Sequence, residues 1–258
     1  MTEILSAGIY APFVAPALLF LVGIAAGVIN VMAGSGSALT LPALIFSGLD
    51  GAEANGTNRL SILIQNISAS ASFSSENTGA DMRELLKYSL FTLPGMVCGV
   101  LTAVTIDDLL FKQITAVLII VIAVSMFLPS LAARAESIKK ERRWLLYLGL
   151  AATGFYGGFI QVGIGIVIMA VFFHLAGGSI ASVNARKVFI VMIYTAPALC
   201  IFFFFGNVDI FKGLNLAAGS ALGGWWGAKM SVKKGAGMVR YFIVAALVLS
   251  GLKLFGVL

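Results

Sequence analysis

Two short stretches carry the residue types that could hold a small ion. The first is Gly34-Ser35-Gly36-Ser37, within MAGSGSALTLPAL; the second is Gly163-Ile164-Gly165, within QVGIGIVIMA. Glycine permits positive φ and close backbone approach. A serine at 35 or 37 can cap the helix that follows. A helix N-terminus exposes free N–H groups and the positive end of a dipole, which suits an anion. The competing reading is a small-residue contact that lets two helices pack closely.

A second pair of stretches is cationic. EANGTNR places Asn55, Thr57, Asn58 and Arg59 at the start of a helix that turns apolar at once, and SVNARK places Asn184, Arg186 and Lys187 likewise. Helix capping by the asparagines and interfacial snorkelling by Arg59, Arg186 and Lys187 is the plainer account. The functional account has these cations attract a negative substrate at two mouths, because a charge at membrane depth is costly. Gln65 and Asn66 then align with Tyr194 and Thr195, uncharged donors suited to an oxyanion that must bind and leave, or to gluing helices together. Gln161 joins them by its nearness to Gly163. His174 near a helix end reads as locally satisfied rather than as a proton relay. Asp50, Glu53, Asp107, Asp108 and Asp209 all fall near segment ends, so a mid-membrane cation site lacks its usual carboxylates.

The elements that must position these residues follow from composition. The chain is 60% hydrophobic and 11% charged over 258 residues, far below the quarter or so charged that soluble domains carry. Apolar stretches recur from end to end, which predicts an all-α polytopic membrane protein. Runs such as ITAVLIIVIAVSMFL do not alternate, so a barrel is excluded. The predicted segments are 9–32, 36–47, 55–74, 88–105, 112–132, 144–162, 164–176, 185–205, 211–229 and 237–257. Glu3 and the lack of a basic n-region argue against a cleaved signal peptide. Cys98 and Cys200 lie in apolar segments and read as small filler. With one histidine the chain has no zinc set of usual composition, no phosphate loop and no dinucleotide fingerprint, so neither cofactor nor metal is expected. It offers no nucleophile–base pair for an enzyme and nothing for nucleic acid.

The charged loop ARAESIKKERR (133–143) divides a first repeat, 1–132, from a second, 144–258. At an offset of 129, Gly34 and Gly36 fall on Gly163 and Gly165, Gly48 on Gly177, Asn55 on Asn184 and Ile64 on Ile193. PGMVCG resembles AGSALGG at a slightly different offset. With loop 133–143 in the cytoplasm, inverted halves put thirteen of the seventeen basic residues inside, whereas parallel halves put nine there; the positive-inside rule favours inversion. Inversion requires the chain to turn back near both glycine stretches. Paired short, glycine-broken segments in two inverted halves point to a transporter's binding site.

GSGSALTLPALIFSGLDGAEANGTNRLS resembles the opening motif of the sulfite exporter TauE/SafE (TSUP) family: a glycine-rich turn, a short apolar helix with proline, then an Ala-x-Gly-Thr-Asn type segment. The likeness extends over nearly the whole chain in length, two-half layout and basic central loop. Ser35 and Ser37 stand where members often have glycine, and the second half has Val171 in place of the proline. The resemblance implies a secondary transporter for sulfite, thiosulfate or an organosulfonate, multi-pass in the bacterial cytoplasmic membrane. A channel-like anion pore and a non-transporting membrane subunit are the alternatives. Flux against a gradient, driven by H+ or Na+, separates the first two. Export direction, coupling ion and oligomeric state stay open at this point. On this reading Arg59→Ala abolishes anion binding while the fold persists.

Overall fold

The computed structural model describes residues 11–75, 81–125 and 143–233. Among them the chain is all-helical, with nine helices and no strand: α1 Ala11–Ala33, α2 Ser37–Phe46, α3 Gly51–Ser75, α4 Met82–Thr105, α5 Asp108–Ser125, α6 Arg143–Phe159, α7 Ile164–Leu175, α8 Ile180–Phe204 and α9 Ile210–Lys233. The predicted segment 237–257, most of the basic loop and the first ten residues lie outside the described residues.

Among the described residues, three helices are long and apolar enough to cross a membrane: Ala15–Ala33 of α1, α4 and α8. Large apolar side chains face outward along the helices, among them Leu21, Leu90, Val121, Leu148 and Phe204. An apolar exterior of this extent suits lipid rather than water. The short helices α2 and α7 rise only about 15 and 18 Å, against a hydrocarbon core of about 30 Å.

Four helices, α3, α4, α5 and α8, begin earlier than the apolar pattern predicts; at α5 the Asp107 carboxylate accepts the Leu110 N–H at 3.1 Å. The Asp50 carboxylate accepts the Glu53 N–H at 2.7 Å, Asp81 accepts from Arg83 at 3.0 Å, and the Ser179 hydroxyl accepts from Ser182 at 3.2 Å. These bonds satisfy N–H groups that a helix start leaves without partners. Each cap therefore adds a first turn or more, extending these helices upstream of their predicted starts. Arg59 and Lys187 consequently sit about two turns inside their helices.

The two parts of the chain interlock. α1 runs along α9, with Gly23 and Gly27 against the backbone of Leu216 to Gly224; α4 runs along α6, with Gly95 and Gly99 against Ala151 to Phe159. Glycines on both sides let the helix backbones touch, the small-residue packing expected where apolar burial gives no drive. Between these pairs α3 packs on α8, on α9 and on α2. One apolar cluster gathers Tyr88, Met96, Leu150, Ile168, Phe172 and Phe202 from α4, α6, α7 and α8. A second gathers Ile29, Leu41, Phe111 and Ile119 from α1, α2 and α5, with Ile160 and Val162. The glycine turns lie between the two.

Candidate functional site

The site is built on two backbone turns. α1 ends where Gly34, at φ +78°, donates its N–H to the carbonyls of Ile29 (3.2 Å) and Asn30 (2.8 Å). Gly36 then lies against Ala26 and Asn30, so the chain has turned back along α1. Gly163, at φ +72°, opens α7, and Ile164 packs back on Gly157 of α6. Gly48 and Gly177, which align at the same offset, also share positive φ, +98° and +72°. The two turns meet: the Gly165 N–H donates to the Gly34 carbonyl at 3.1 Å, and a Cβ on Gly34 would lie 2.5 Å from the Gly165 carbonyl carbon.

The expected serine caps are not found, and several N–H groups of the turns are already taken. Gly36 already has helical φ and ψ, and no side chain caps α2. Ala38 and Leu39 donate to the carbonyls of Ser35 and Gly36, both at 3.0 Å, and Ile166 donates to Gly163 at 2.9 Å. The tight turn supplies these acceptors itself, and Gly34 supplies the one for Gly165. Ser35 and Ser37 are buried, and neither hydroxyl has a hydrogen-bond partner among the described residues. An unsatisfied buried hydroxyl is costly, so these two are the polar groups the turn leaves available.

The cations cross between the two parts of the chain. Arg59 of α3 is fully buried. Its Nη1 donates to the Gly157 carbonyl at 2.9 Å and its Nη2 to Gly158 at 2.5 Å, both near the end of α6. Its guanidinium also lies over the Phe202 ring, 4.7 Å from the centroid. Asn55 of α3 donates to Phe159, the next carbonyl, at 2.8 Å. Reciprocally, Lys187 of α8 is 3% exposed and its Nζ donates to the last carbonyls of α1, Asn30 at 3.2 Å and Val31 at 2.8 Å. Asn184 Oδ1 accepts a third bond from Lys187 at 2.9 Å, while the Asn184 amide donates to Ser231 at 2.7 Å. Each buried cation thus sits on the negative end of a helix dipole from the other part of the chain.

This corrects the interfacial-snorkelling account for Arg59 and Lys187. Arg59 and Lys187 are drawn inside because helix-end carbonyls offer acceptors there. Only Arg186 keeps that character: its side chain is 19% exposed, faces Glu84 at 3.8 Å and lies over Phe172. Arg59→Ala would strand two buried carbonyls, so persistence of the fold in that variant is no longer expected.

The other candidates divide between the two centres and the scaffold. Tyr194 lies beside Arg59 and Gln161, and Gln161 donates to Thr195 at 2.8 Å. The Tyr194 hydroxyl and Gln161 Oε1 are buried without a hydrogen bond of ordinary geometry. Asn66 joins Ser37, Asn30, Gly165 and Lys187 around a small cavity completed by Ile62, Ile164 and Val191. The remaining three tie elements together or pack them. Asn58 accepts from Thr40 at 2.6 Å, Thr57 accepts the Asp209 N–H at 2.8 Å, and Gln65 packs against Gly224. His174 is exposed and bonded to the Ala170 carbonyl at 2.8 Å, away from the site.

Sequence reasoning missed Asn30, Thr40, Phe202 and Ser231. Asn30 had a signal, a polar residue in an apolar run one turn before Gly34. The carbonyls of Gly157 and Gly158 had none, because a backbone acceptor leaves no trace in residue type.

Among the described residues, nine helices, three of them fit by length and composition to span a bilayer, make this a helical membrane protein, and its family and relatives are those of membrane transporters. The chain belongs to the sulfite exporter TauE/SafE family, whose model matches residues 19–254. It is 30% identical over 232 residues to a probable membrane transporter protein of Haemophilus influenzae, covering 88% of this chain and 89% of that one. It is 29% identical to the probable membrane transporter protein ORF9 of a Sinorhizobium species, covering 88% and 87%. With the probable membrane transporter protein YfcA of Escherichia coli K12 it shares 29% identity, covering 88% and 84%. No solved structure matches the chain significantly.

Proposed function

We propose that this protein is a secondary transporter that exports a small sulfur-containing anion, such as sulfite, thiosulfate or an organosulfonate, across the bacterial cytoplasmic membrane. The observation that carries the reading is the meeting of Gly34 and Gly165 between two buried cations, Arg59 and Lys187. Broken helices whose ends meet in the interior, beside charge, are the parts from which transporters build a substrate site. The family's description supplies the sulfur oxyanion.

The same geometry supports alternating access. Each glycine turn joins a long helix to one too short to span, and the turns touch through one hydrogen bond and bare backbone. Inverted halves, supported by the basic-residue bias and the shared glycine conformations, would let one turn open towards each side. The test is flux in liposomes holding the purified chain, with sulfite and thiosulfate as probes. Accumulation against a gradient driven by H+ or Na+ supports the transporter; flux that only runs downhill favours a pore. No flux of any tested anion, with retention of a partner protein, would leave a membrane subunit.

A further inference from the structure

We propose that Lys187 is the residue that binds the substrate's negative charge, and that an anion takes its ammonium away from the C-terminal carbonyls of α1. The inference rests on the transport reading above. It assigns the two buried cations different tasks.

The Lys187 ammonium has three N–H donors, and three oxygens take them: Val31 at 2.8 Å, Asn184 at 2.9 Å and Asn30 at 3.2 Å. Met169 sulfur is a distant fourth neighbour at 3.9 Å. Every one of these acceptors is neutral. The longest bond goes to Asn30, which together with Lys187 lines the small cavity. Ser37 lines the same cavity, is 2% exposed and has a hydroxyl with no partner. Its O–H is a donor left over by the turn.

A small oxyanion answers both groups, since it presents several acceptor oxygens and the missing charge. The end of a helix offers roughly half an elementary charge, whereas the anion offers at least one. At equal distance the anion is therefore the stronger partner. Arg59 is built otherwise. Its fork is spent on two carbonyls and its face on Phe202, and it does not line the cavity. It is a clamp on α6.

The exchange has a mechanical consequence. Losing Lys187 frees the Val31 carbonyl and leaves the Asn30 carbonyl to the Gly34 N–H alone. The Gly34 carbonyl holds the Gly165 N–H, so release at α1 reaches the contact between the turns. Substrate binding is thereby read where the two parts of the chain meet.

The experiment measures thermal stabilisation of the purified full-length chain by sulfite and by thiosulfate. Lys187→Met should raise the half-saturating concentration by about tenfold or more, the effect of losing hydrogen bonds to a charged partner. Lys187→Arg should restore part of the response. Ser37→Ala should weaken the response by up to about tenfold without lowering the melting temperature of the anion-free protein, because its hydroxyl has no partner to lose. Lys229→Met, which removes an exposed charge beside Trp225, should respond like the parent. A Lys187→Met protein stabilised at parental concentrations would overturn the proposal. If that variant does not fold, Ser37→Ala decides, and an unchanged response overturns it. A parent that neither responds to nor carries either anion overturns the transport reading and this inference with it.

Discussion

Gly165→Ala tests the contact between the two turns most directly, because the sign of its effect depends on it. Gly165 is the second residue of α7 and has no positive φ, so the backbone suits alanine. By helix propensity alone the change should stabilise by up to about 1 kcal/mol. The added methyl, however, would run into the Gly34 Cα and lie 2.8 Å from its carbonyl oxygen. Backbone atoms on both sides cannot rotate away, so the turns must part. Overpacking of this kind costs about 1–3 kcal/mol, and the lost Gly165 to Gly34 hydrogen bond about 0.5–1.5 kcal/mol more. Set against the propensity gain, the expected net loss is about 0.5–3.5 kcal/mol, with loss of anion flux. Gly48→Ala is the matched control. Gly48 has φ +98° and nothing near its missing Cβ, so it bears only the left-handed strain of about 1–2 kcal/mol. Unfolding of purified protein in mild detergent, titrated with SDS, reads both. A Gly165→Ala protein as stable as its parent, or more stable, would refute the close meeting of the turns.

Two further outcomes follow from the packing. Arg59→Met should cost about 3–6 kcal/mol, the loss of two hydrogen bonds from a charged donor at about 1.5–3 kcal/mol each, and Arg59→Lys should recover part of it; melting of the purified variants measures both. Gly219→Leu should block folding by forcing α1 away from α9, where the Gly219 Cβ would meet the Phe20 carbonyl, whereas Gly206→Asn, at φ +74° with open space around it, should elute and melt like the parent because asparagine tolerates that conformation.

The helical class and the two short helices were legible because lipid leaves the backbone no choice: apolar runs must pair their own N–H and C=O groups. The turns at Gly34 and Gly163 were legible because glycine is what a positive φ requires. Burial of Arg59 and Lys187 was not. Both stand beside polar residues near the start of an apolar run, a pattern that fits an interfacial cation equally well. Their place is set by carbonyls of helices about a hundred residues away or more, at Gly157 and Asn30. The serine caps failed for a related reason. The Ala38 and Leu39 N–H groups close on the turn's own carbonyls, and that depends on backbone angles rather than on side-chain type.

The crossed packing of α1 on α9 governs how the chain can be made. Gly23 and the Gly219 it touches are separated by about two hundred residues. At ribosomal speeds of about 5–20 residues per second, α1 waits about 10–40 s in the bilayer for its partner. Throughout that wait Gly23 and Gly27 present a bare, self-complementary face that any other small-residue helix could occupy. Correct assembly therefore depends on what shields that face, be it the insertion machinery or α1's own lipid shell. The most damaging truncations should be those that remove α9 and leave α1 without its mate.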